Sequence, residues 1–178
     1  MGVRGRIEGS CQRIEGSYLH SKANRRSPGL SWRTGPMKRR NGTYNTKRQL
    51  ADLANWPQER LEQLGHQLLY GGNPEHKRNP GDFNLTPPSG ARKGKMLCDE
   101  IGVFRRQEAL DLLRSGVAAG LISERCANGW PQNIWAVLEG RVLEAQLEQS
   151  ETGTYHGYPL QPEDPFAELV LQRLGDKP

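Results

Sequence analysis

The chain predicts an α+β fold: N-terminal helices packed on a small antiparallel β-meander with a C-terminal helix, preceded by a disordered basic arm. Three observations carry this expectation. Apolar residues recur at helical spacing up to about residue 120, then alternate along 133–147. Glu139-Gly140 between two alternating runs has the form of a two-residue hairpin turn. The first 45 residues hold Arg, Lys and turn formers, with Tyr18, Leu30 and Trp32 as scattered exceptions, and offer little for a core.

The elements follow in order. Residues 1–45 form the arm and 46–178 a single α+β domain. The pentapeptide Arg-Ile-Glu-Gly-Ser occurs at 6–10 and again at 13–17, too short a duplication for a repeat architecture. Order is expected from Thr46, a cap for a short helix carrying Leu50, Leu53 and Ala54. Asn55 then caps a second helix, with Pro57 in its first turn, where a missing N–H costs little. Leu61, Leu64 and Leu68 share one face of it, and Gly71-Gly72 ends it. An irregular segment, 70–95, holds four of the twelve prolines, and such long loops inside a compact domain carry function or stay disordered. The next helix places Ala109, Leu112, Leu113 and Val117 on one stripe and stops at Gly120.

Pairing Leu138 with Arg141 puts Ile134, Ala136 and Leu138 on one face with Leu143, Ala145 and Leu147. Trp135 and Val137 then share the other face with Val142, Glu144 and Gln146. A third strand over 152–158 completes the meander. Asp164 caps the last helix with Pro165 at its first position, and Phe166, Leu169, Val170 and Leu174 give that helix an apolar stripe.

Composition bounds the function. Hydrophobic residues are 34% and aromatics 7%, so the core is modest. No apolar run is long enough for a membrane span and no secretory signal is legible, so no membrane partner is expected. Three widely spaced cysteines suit a reducing compartment and point to a cytoplasmic protein. The formal charge of +5 is split: residues 1–48 carry twelve Lys/Arg against two acids, and 49–178 carry thirteen against eighteen. A basic arm on a mildly acidic body either grips RNA or another nucleic acid by its phosphates or is a solvated leader.

Chemistry is expected in two places. Thr154, His156 and Tyr158 point to the same side of their strand. If that side bears Glu144 and Gln146, an acid–base set converges there; the alternative is a solvated face with a surface histidine. Between two Asn-Pro turns, His76, Lys77 and Arg78 are presented together, either as a phosphate clamp with a base or as a charged solvent loop. Arg105 and Arg106 at a helix start are a candidate phosphate-facing edge. No nucleotide-binding glycine loop, nucleophile elbow or zinc motif is present, so no cofactor and no metal are expected.

The order of strand, hairpin, strand, then Tyr155-His156-Gly157-Tyr158-Pro159 and a helix, after helices and a basic His-Lys loop, resembles small bacterial ribonuclease toxins of the barnase, EndoU and RelE-like class. The resemblance covers about residues 50–174. It implies metal-independent cleavage of RNA on a sheet face, by a toxin or defence effector. His156, Thr154 and Tyr158 would match the C-terminal catalytic strand, with His76 and Lys77 upstream. The expected function is an endoribonuclease with His156 as general acid or base, Glu144 or His76 as the complementary group, and Lys77 and Arg78 on the phosphate. The alternatives are a nonenzymatic nucleic-acid-binding subunit that uses its arm, and a small partner or immunity-type protein whose acidic body binds a basic protein; a protein partner would be an antitoxin, an immunity protein or a larger complex.

Overall fold

A computed structural model describes residues 48–88 and 96–175. In chain order the regular elements are α1 (Gln58–Gln67), β1 (Leu69–Tyr70), α2 (Arg106–Ala118), β2 (Cys126–Ala127), β3 (Trp130–Pro131), β4 (Asn133–Leu138), β5 (Arg141–Gln149), β6 (Thr154–Pro159) and α3 (Pro165–Gly175), with short 3-10 turns between them. The class is α+β. Four strands form one mixed sheet in the order β1-β6-β5-β4, and β2 and β3 pair as a small separate ribbon. Among the described residues no helix is long and apolar enough to cross a membrane.

The meander forms in the register the alternation predicts. Leu138 pairs with Arg141, and Glu139 (φ 49°) and Gly140 (φ 76°) both take the left-handed conformation of a tight hairpin turn. One face of the sheet, with Ile134, Leu143, Ala145 and Tyr155, packs on Leu61 and Leu64 of α1 and on Leu113 and Val117 of α2. Helix α2 lies directly on β4, because a side chain at Gly116 would collide with the Trp135 carbonyl. On the opposite face, Trp135 and Val142 meet Phe166 and Val170 of α3, with the Trp135 and Phe166 rings 4.7 Å apart. Helix α3 covers only part of that face, and the remainder is polar.

Several expectations are corrected. No α-helix forms over 50–54, where only a 3-10 turn begins at Leu53; Thr46 and Lys47 lie outside the described residues. The Ala51 N–H donates to the Ile122 carbonyl and the Glu124 N–H to the Gln49 carbonyl, so this stretch runs extended beside 122–124 and shields β4. A long-range pairing has overridden local propensity. Asp52 caps the short turn Leu53–Asn55, and Pro57, not Asn55, occupies the cap of α1, without a side-chain bond. Leu69 and Tyr70 leave the helix and pair in parallel with Thr154 and Tyr155, so the sheet is mixed rather than a pure meander. Leu169 and Leu174 flank the buried stripe of α3 and stay partly exposed.

Candidate active site

The polar part of the outer face is built in rows across the strands. Asn133, Gln146 and His156 stand opposite one another on β4, β5 and β6, and the next row is Trp135, Glu144 and Tyr158. Side chains at paired positions share a face and lie about 5 Å apart. The alternation predicts one shared face for Thr154, His156 and Tyr158 and leaves open whether Glu144 and Gln146 lie on it; they do.

Glu144 is the hub. Its side chain is fully buried, and Arg48 Nε pairs with Oε2 at 2.8 Å. Trp135 Nε1 donates to Oε2 (3.0 Å), while Tyr158 Oη (2.8 Å), Asn133 Nδ2 (3.1 Å) and Gln146 Nε2 (3.1 Å) donate to Oε1. A buried carboxylate requires such compensation. Arg48 also pairs with Asp164 at 2.6 Å, so the residue that leads out of the basic N-terminal segment ties β5 to the cap of α3. Burial opposes the Arg48 charge, but Glu144 and Asp164 outweigh it and hold the guanidinium above its ordinary value. Burial, then Glu144, pushes the Tyr158 phenol upward, so it is a proton donor and not a base at neutral pH.

The two histidines flank this hub. His76 stacks on Tyr158, with ring centres 4.9 Å apart and planes 22° from parallel. Its Nδ1 lies 3.0 Å from the Met96 carbonyl. A carbonyl only accepts, so Nδ1 carries the proton and the lone pair of the neutral ring is on Nε2. Along β6, His156 places Nδ1 3.6 Å from Glu148 Oε2. A bulge between Leu147 and Gln149 leaves Glu148 without a partner position on β6, and its carboxylate is aimed at the imidazole. Thr154 lies on the same face, its hydroxyl 2.7 Å from that of Thr152.

The other expected binding residues are placed differently. Lys77 is buried: its ammonium pairs with Asp99 at 3.0 Å, donates to the Val103 and Phe104 carbonyls and lies over the Phe83 ring. That geometry ties the 74–77 turn to the chain before α2 and corrects the expectation of a phosphate clamp. Arg78 is exposed beside Glu100 and donates its backbone N–H to Asp99. Arg105 occupies the cap of α2, where Glu108 reaches back to two backbone N–H groups, and Arg106 donates to the Phe83 carbonyl. Glu144, expected as a catalytic carboxylate, is saturated and acts as an organiser.

Sequence reasoning missed Arg48 and Glu148. Arg48 entered only the charge tally of residues 1–48, and nothing local announces a contact with residue 144. Glu148 had a signal: Glu144, Gln146 and Glu148 recur with period two, so extending the alternation by one step places it on the polar face. Comparison of the chain with protein-family models, curated proteins and solved structures finds no match.

Proposed function

We propose that this face is the active site of a metal-independent endoribonuclease. The observation that carries the reading is the placement of two histidines about one Tyr158–Glu144 hub, each ring with a different neighbour. His156, with Nδ1 3.6 Å from the Glu148 carboxylate, takes the role of general acid. His76, its Nδ1–H held by a carbonyl, offers Nε2 as the general base. In the reaction His76 takes the proton of a ribose 2′-hydroxyl as its oxygen bonds to the adjacent phosphorus. The bond from phosphorus to the 5′-oxygen breaks, and His156 protonates that oxygen, leaving a 2′,3′-cyclic phosphate and a 5′-hydroxyl. Glu144 positions Tyr158 and Gln146, and the basic segment before Arg48 attracts the polyanion.

RNA incubated in EDTA should be cut, and H156A or H76A should each slow cleavage by about 10²–10⁴-fold. Intact RNA, or an H156A variant as fast as wild type, defeats the proposal. A second reading is favoured by the saturation of Glu144 and by the contrast between a basic leader and an acidic body: a noncatalytic subunit that grips nucleic acid with its arm. It requires that removing residues 1–45 abolish binding while both histidines are dispensable.

A further inference from the structure

A cleft of about 380 Å³ opens beside the two rows, over the ends of β4 and β5, with Arg125, Asn133, Gln146 and Glu148 in its wall. Its polarity is fixed by the hub. Glu144, paired with Arg48, is an ionised acceptor, so the amides of Asn133 and Gln146 must turn their N–H groups toward it. Tyr158 gives its own proton to Glu144, so its oxygen takes the second N–H of Gln146 at 2.7 Å. Both amides therefore offer the cleft their carbonyl oxygens, and the Glu148 carboxylate adds further acceptors. Arg125 is exposed at the wall, and no ion pair to it occurs among the described residues. Of the two guanidiniums in the lining, Arg48 already pairs with Glu144 and Asp164, so a wall of acceptors with the exposed Arg125 calls for a ligand that donates from one end and carries an anion at the other.

We infer that this cleft is a base pocket that takes a nucleotide with an exocyclic amine (cytosine, adenine or guanine) and rejects uracil, with Arg125 holding the attached phosphate. Uracil presents a single N–H between two carbonyl oxygens on its edge, so it can satisfy only one of the Asn133 and Gln146 oxygens and sets its own carbonyls against the other acceptors, whereas an exocyclic amine brings two N–H groups. The volume suits one nucleotide. The position suits the chemistry, because Gln146 is the row partner of His156 and one strand spacing, about 5 Å, separates them. The inference rests on the reading of this face as an RNA site and adds its base preference.

The test is titration of the full-length protein with the four nucleoside monophosphates, beside cleavage of oligonucleotides that vary one base. CMP, AMP or GMP should bind at least about tenfold tighter than UMP. Arg125→Ala should weaken CMP binding several-fold while leaving cytidine, which lacks the phosphate, unchanged. Equal affinity for UMP, no binding of any monophosphate, or an equal loss for CMP and cytidine in Arg125→Ala overturns the pocket. Cleavage without base preference alongside equal binding leaves the nuclease standing without this pocket. Selective binding with uncut RNA leaves the pocket standing and removes the nuclease.

Discussion

Replacing Arg48 by Met tests the hub directly. The substitution keeps an aliphatic stem of similar reach and removes the cation that lies 2.8 Å from a carboxylate with no solvent exposure. Breaking a buried pair from one side costs about 3–5 kcal/mol, because the surviving charge is stranded. Glu144 keeps four neutral donors, from Trp135, Tyr158, Asn133 and Gln146, which brings the expected loss to about 3 kcal/mol, the bottom of that range. For a chain of this size that is a fall of about 6–12 °C in Tm. Urea unfolding of R48M, E144Q and the double variant measures it. Gln at 144 removes the stranded charge, so the double variant should be more stable than the sum of the single losses by at least about 1 kcal/mol. An R48M loss under about 1 kcal/mol, or strict additivity, refutes the account of Glu144 as an ionised carboxylate held by Arg48.

Other consequences are checked separately. Burial pushes the Asp99 carboxyl up, but the Arg78 N–H and the Lys77 ammonium outweigh it and hold it below the ordinary 3.8. A depressed folded-state value contributes stability that is complete above the unfolded value and lost as pH falls through the folded one. Wild type should therefore weaken below about pH 4, and Lys77→Met should lose less on that descent, as urea midpoints across pH 2–6 will show. Gly116→Ala should destabilise by about 1–3 kcal/mol, because α2 must lift from the Trp135 carbonyl; an unchanged thermal midpoint would contradict the close approach. Burial raises the Cys98 thiol to about 11, so peptide-resolved labelling at neutral pH should modify Cys98 only at the rate of global unfolding.

The sheet was legible where its rules are local. Period-two alternation and a left-handed Glu-Gly pair determine register, so the faces of β4, β5 and β6 follow from counting residues. The Asp164-Pro165 start of α3 was legible for the same reason. What escaped depends on partners far along the chain. The extended path of 49–51 exists because residues 122–124 meet it, and β1 exists because β6 offers a free edge. At the candidate site the residue types were readable, but their duties were not. Lys77 looked like a clamp until Asp99, twenty-two positions away, accounted for it. Glu144 looked reactive until five donors were counted around it.

The parallel pairing of β1 with β6 joins Leu69 to Thr154 across 85 positions. Such a distant closure is slow, because chain entropy is lost before the contact rewards it. A ribosome that has translated as far as the hairpin has made His76 and Glu144 but neither Tyr158 nor His156. During synthesis the two histidines therefore stay apart until the last strand docks, and on the nuclease proposal a chain truncated before it emerges should be inert whatever its helices have already formed.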